Sequence, residues 1–123
     1  MQTIGDIIKQ REPFWVDAQD SVRRVVEHLC ARGIGAVAVK EQDEVVGVFS
    51  ERDLMQRVVV PGLDPDQVPV RDVMSTTLTF VGLDDSVRTA KAMMHESRKR
   101  HLLVVGKDCS FRGMVSMREM VEA

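Results

Sequence analysis

The chain states the same message twice. Asp20-Ser21-Val22-Arg23 returns as Asp85-Ser86-Val87-Arg88, 65 positions later (85 − 20). Gly47-Val48-Phe49-Ser50-Glu51-Arg52-Asp53-Leu54 returns as Gly113-Met114-Val115-Ser116-Met117-Arg118-Glu119-Met120, 66 positions later (113 − 47). The additional residue falls in the turn Gly106 to Ser110, and Ile4-Gly5-Asp6-Ile7-Ile8 matches Val70-Arg71-Asp72-Val73-Met74 at the front. Ordered matches with gaps confined to loops point to one structural unit made twice. Neither half is long enough to bury a large core alone, so the halves are expected to share one. Pro61-Gly62-Leu63-Asp64-Pro65 and Pro69 mark a linker, which divides the chain into a repeat over 1–62 and a repeat over 63–123.

Each copy has the same element pattern. A short apolar segment (Phe14 to Val16; Leu78 to Val81) leads to a cap at Asp20 or Ser21. Val22, Val25, Val26 and Leu29 then recur at helical spacing until Gly33, and Val87, Ala90, Met93 and Met94 hold the same face in the second copy. Strand, polar turn and strand follow: Ala36 to Val39 and Val45 to Phe49, then Leu102 to Val105 and Phe111 to Val115. A second helix begins at Ser50 or Ser116. The predicted fold class is α/β (α+β), two tandem βαββα motifs packed through their sheets into one pseudo-twofold module.

Composition narrows the partners. With 17 basic and 19 acidic side chains the net charge is −2, which argues against nucleic acid as a partner. Four Phe, one Trp and no Tyr leave little for a base-stacking platform. Apolar runs such as Val58-Val59-Val60 are too short for a bilayer, so no membrane partner is expected. Cys30 and Cys109 form neither a disulfide framework nor a zinc set, and the first residues lack a signal-peptide pattern; the cytoplasm is the expected compartment. His28, His95 and His101 have no partnered nucleophile, so no catalytic residue, metal site or enzyme activity is expected.

Chemistry concentrates at Gly47 to Asp53. A strand ends at Phe49 and a helix opens at Ser50, which brings free backbone N–H groups and a positive dipole end to one place. Ser50 can meet a phosphate, Asp53 can accept both hydrogens of a ribose diol, and Arg52 can neutralise a phosphate. The same Ser-x-x-acid spacing is also a capping box with no ligand, and the two roles are compatible because the hydroxyl hydrogen could remain free.

Gly-apolar-apolar-Ser-x-x-Asp after a hairpin, in a tandem βαββα array, resembles the adenosine-binding signature of CBS (cystathionine β-synthase) domains. The likeness covers nearly the whole chain and is strongest over Gly47 to Asp53 with Val58-Val59. The resemblance implies a CBS pair (Bateman module) whose cleft between repeats takes AMP, ADP, ATP, NAD(H) or S-adenosylmethionine. Residue by residue, it assigns Ser50 and Asp53 to phosphate and ribose, and Leu78 and Thr79 to the adenine. It assigns Arg100 and His101 to phosphate, while Gly35, Ala36 and Val37 hold the matching place in the first copy and leave room for base or ribose. Ser116, Arg118 and Glu119, with Phe14 at the adenine position, form a weaker second site, because Glu replaces the ribose-binding Asp. Arg98 and Lys99 are expected to face water, Phe14 and Trp15 to pack, and the methionines to fill the core.

The function implied is ligand-sensing regulation by a homodimer that signals to an effector protein, the nucleotide acting as ligand and not as obligatory cofactor. The alternative is a dimeric scaffold of the same fold that no longer binds nucleotide.

Overall fold

A computed structural model describes residues 1–9 and 11–122. In chain order the elements are α1 (Ile4–Ile8), β1 (Trp15–Asp17), α2 (Val22–Arg32), β2 (Ala36–Glu41), β3 (Glu44–Ser50), α3 (Glu51–Asp53), β4 (Phe80–Gly82), α4 (Val87–Ser97), β5 (His101–Val105), β6 (Phe111–Ser116) and α5 (Met117–Glu122). A π-helical segment, Leu54–Val59, continues α3, and a 3-10 turn, Val70–Asp72, precedes β4.

Contacts gather these elements into two compact units, Phe14–Thr77 and the combination of Met1–Pro13 with Leu78–Ala123. The first unit holds a three-stranded sheet of order β1-β2-β3, the second a three-stranded sheet of order β4-β5-β6. In each the first pair is parallel and the second antiparallel, as a βαβ crossover followed by a hairpin requires. Both hairpins shift register at one place, Val39/Lys40 and Val104/Val105.

Local chemistry explains the elements. Ser21 and Ser86 cap α2 and α4, each Oγ accepting the N–H three residues on (Arg24, 3.2 Å; Thr89, 3.0 Å). Gly33 stops α2 in the left-handed region at φ 63°; Arg98 does the same for α4 at φ 57°, a conformation that costs a side chain more than it costs glycine. Gln42 and Asp43, both at positive φ, close the β2–β3 hairpin as a two-residue primed turn. The strand expected over Phe14 to Val16 begins one residue later, at Trp15.

The compact units are not the sequence repeats. Backbone bonds tie α1 to the β4–α4 connection: Ile4 N–H to the Asp85 carbonyl (2.9 Å) and Gly5 N–H to that of Leu83 (2.9 Å). The matching segment bonds to the β1–α2 connection: Val70 N–H to Asp20 (2.8 Å) and Arg71 N–H to Ala18 (3.0 Å). Each front segment therefore serves the sheet of the other repeat. Ile4 and Ile8 join a core with Val81, Met94, Leu102, Val115 and Met120, while Val70, Val73 and Met74 join one with Val16, Val25, Leu29 and Phe49.

The motif glycines serve this arrangement. A Cβ on Gly47 would lie 2.3 Å from Met74 Sδ, and one on Gly113 would lie 3.2 Å from Ile8 Cδ1. The glycine opening each Gly-apolar-apolar-Ser stretch is thus where the exchanged segment's last apolar side chain lies on the sheet. At Gly113 the backbone adds a second reason, φ 136°.

Candidate functional site

At the β3–α3 junction Ser50 and Asp53 form a reciprocal capping box. Asp53 N–H donates to Ser50 Oγ (3.3 Å), and Ser50 N–H donates to Asp53 Oδ2 (2.9 Å). The Ser50 hydroxyl also donates to Asp53 Oδ2 (3.0 Å), so the hydrogen expected to be free for a phosphate is committed. What Ser50 offers a ligand in this arrangement is acceptor capacity.

Asp53 is 8 % exposed, the single polar or charged residue buried among the described residues. A buried carboxylate is costly unless it is paired and hydrogen-bonded. Oδ2 meets that requirement through Ser50, while Oδ1 faces Arg57 Nε at 3.7 Å, the i,i+4 pair of this helical segment. Arg57 in turn donates from Nη1 to the Met74 carbonyl at 2.7 Å. Arg57 carried no signal in the sequence beyond that spacing. Arg52 is exposed.

Gly35, Ala36 and Val37 lie in the same unit. Ala36 pairs with Ser50 across the hairpin, and the Gly35 carbonyl accepts the Glu51 N–H (3.0 Å). The Glu51 carboxylate rests against Gly35, where a Cβ would stand 2.8 Å from Oε1. Ala36 and Val37 are buried at 5 % and 1 % exposure, so only half-buried Gly35 of this stretch remains partly open.

The other unit repeats the layout with different chemistry. His101 pairs with Ser116, and the Arg100 carbonyl accepts the Met117 N–H (2.7 Å). Ser116 and Glu119 also cap reciprocally, Ser116 N–H to Oε1 and Glu119 N–H to Ser116 Oγ, each 3.1 Å. The longer acid reaches further: Glu119 Oε2 bonds Arg11 Nη2 at 2.5 Å, and Arg11 Nη1 donates to the Met114 carbonyl (3.2 Å). Both oxygens of Glu119 are occupied. Arg118 pairs with Glu122 (3.3 Å), and the Thr79 carbonyl accepts the Leu103 N–H (3.0 Å) beside half-buried Leu78.

Phe14, in the first unit, is packed: the Arg32 guanidinium lies 3.5 Å over its ring and His28 meets its edge with centroids 5.6 Å apart. Trp15 departs from the expected packing role, being 43 % exposed with the Lys40 ammonium 4.9 Å from its ring centre. Arg98 faces water, but Lys99 does not fully, and burial pushes its ammonium pKa down. Met94, His95, Glu96, Arg98, Lys99, Arg100 and Met117 line an open groove of about 510 Å³. Among the described residues no group of three or more His, Cys, Asp or Glu could hold a metal ion, and no helix is long and apolar enough to cross a membrane.

Known proteins agree with this layout. The CBS domain family model matches residues 4–60 and again 70–123. An uncharacterized protein of Methanopyrus kandleri is 37% identical over 98% of this chain and 61% of its own length. The mitochondrial CBS domain-containing protein CBSX3 of Arabidopsis thaliana is 28% identical over 98% of this chain and 64% of its own. The chain thus spans somewhat less than two thirds of these curated relatives. A candidate signal-transduction protein with CBS domains from Burkholderia ambifaria superposes with a TM-score of 0.92 at 27% identity, covering 98% of this chain and 92% of that one. A CBS domain protein of Pyrobaculum aerophilum in complex with AMP gives 0.82 at 27% identity, covering 97% and 89%. With two family matches that follow the internal duplication, the chain belongs to the CBS domain family as a tandem CBS pair.

Proposed function

We propose that the chain is a regulatory module that binds an adenine nucleotide, AMP, ADP or ATP, with NAD(H) and S-adenosylmethionine as further members of the class. One observation carries this reading: the buried Asp53 carboxylate, whose Oδ2 is saturated by Ser50 and whose Oδ1 has only the 3.7 Å approach of Arg57. That oxygen is a ready acceptor for a ribose hydroxyl in a family where a 27% identical neighbour carries AMP. Leu78, Thr79, Arg100 and His101 join the proposed ligand set on the family resemblance alone, with Gly35, Ala36, Val37 and Arg52 beside the cap. The occupied carboxylate of Glu119 and the packed ring of Phe14 favour the Ser50–Asp53 site over a second site at Ser116 and Arg118.

In this reading the module catalyses no reaction of its own. It acts as a homodimer on an effector protein by favouring one conformation when loaded. Exposed Met55 (58 %), Val59 (64 %) and Val60 (80 %) support the dimer, because the Val60 N–H to Met55 carbonyl bond (2.9 Å) stacks them on one stripe. Exposed, unpaired Cys30 and Cys109 support a reducing compartment such as the cytoplasm.

Thermal melting decides the ligand. AMP at a hundredfold excess over its Kd should stabilise the protein by about 2.7 kcal/mol. Asp53→Asn, which keeps an oxygen for the Ser50 N–H, should fold and lose that shift. Absence of a shift with AMP, ATP, NADH and S-adenosylmethionine alike would leave the scaffold reading in its place.

A further inference from the structure

Within the unit Phe14–Thr77 a closed ring of contacts runs through the candidate site. Asp53 Oδ1 faces Arg57 Nε (3.7 Å), and Arg57 Nη1 donates to the Met74 carbonyl (2.7 Å). The next residue, Ser75, exchanges backbone bonds with Val48 in both directions (2.9 and 2.8 Å), while the Met74 side chain lies against Gly47. Val48 leads through Phe49 to Ser50, which caps Asp53. Every link except one is a short hydrogen bond or a covalent step. The exception is the 3.7 Å approach between Asp53 and Arg57, at the one carboxylate oxygen that Ser50 leaves open.

We propose that Arg57 is a positioning residue that couples nucleotide occupancy at Asp53 to the order of the segment Met74 to Thr77; this rests on the nucleotide reading above. The physical reason is the local dielectric. With the site open, water solvates the half-exposed guanidinium, and its attraction to Asp53 Oδ1 across 3.7 Å is weak. A ribose hydroxyl donating to Oδ1 displaces that water and leaves a lone pair on this oxygen for Arg57. The attraction strengthens, the fork settles between Asp53 and the Met74 carbonyl, and the strand-like pairing of Ser75 with Val48 is held more firmly. The planar fork presents Nε to one partner and Nη1 to the other in a fixed geometry, whereas an ammonium must donate to both from a single nitrogen.

The test is amide hydrogen exchange by mass spectrometry on the full chain with and without AMP. In the wild type AMP should slow exchange over 48–54 and also over 74–77, the latter by about fivefold, the lower end of usual coupling between sites. In Arg57→Gln and in Arg57→Lys, AMP should still slow 48–54 and leave 74–77 unchanged. A purely structural role would change the ligand-free exchange of 74–77 but not the response to AMP. If 74–77 responds to AMP equally in the wild type and both variants, or in none of them while 48–54 does, the coupling is wrong and the nucleotide reading stands. If AMP changes exchange nowhere in the wild type, both are overturned.

Discussion

At the scale of single residues, the two caps differ by one methylene. Asp53 and Glu119 each take the N–H of the serine three residues before them. The shorter acid stays buried with one oxygen held only by the 3.7 Å approach of Arg57, whereas the longer one extends to Arg11 and becomes saturated. Side-chain length therefore decides which copy saturates both carboxylate oxygens with hydrogen bonds. A third box, at α1, makes a pH prediction possible. The Thr3 backbone N–H, then its hydroxyl, hold the Asp6 carboxyl below the usual carboxylate range. The folded form binds that proton less tightly than the unfolded chain, so the stabilisation is complete above about pH 4 and fades as pH falls through the folded value. Asp6→Asn should lower the Tm at pH 7 and lose that deficit progressively below pH 4. A deficit that stays constant down to pH 3 would refute the assignment.

At the scale of elements, α1 belongs to the sheet it packs on. Ile4 and Ile8 are 0 % and 2 % exposed in the core of β4, β5 and β6, so Ile4→Ala should cost about 2–5 kcal/mol there. Hydrogen exchange should show protection falling over 101–116 and holding over 36–50. Equal loss in both sheets would mean that the units open together and that α1 does not serve its own unit. The π-helical segment after α3 is a second element-scale feature. It places Arg57 under Asp53 and leaves Met55, Val59 and Val60 facing out, where an α-helical period would have spread them further around the axis.

At the scale of the whole molecule, each unit has its own hydrophobic core, and each core is completed by a segment from the other end of the duplication. The exposed stripe of Met55, Val59 and Val60 is the expected contact between two chains. Light scattering should give twice the 13.8 kDa chain mass for the wild type and one chain mass for the double substitution Val59→Asp, Val60→Asp. A wild type at single-chain mass would remove the homodimer from the proposal.

Much of this protein is determined by local pattern. The duplication, both βαββα orders, the caps at Ser21, Ser50, Ser86 and Ser116, and the CBS likeness follow from spacing and residue type, because helix caps, hairpins and amphipathic faces are short-range decisions. The reciprocal cap of Ser116 with Glu119 was legible for the same reason. Tertiary structure decided the rest. Ile4 to Ile8 and Val70 to Met74 carry nearly the same pattern, so nothing local tells either segment which sheet to cover; chain geometry and the space above Gly47 and Gly113 choose. The fate of the Ser50 hydroxyl hydrogen and the reach of Arg57 to the Met74 carbonyl are likewise matters of distance, and only the folded chain sets distances.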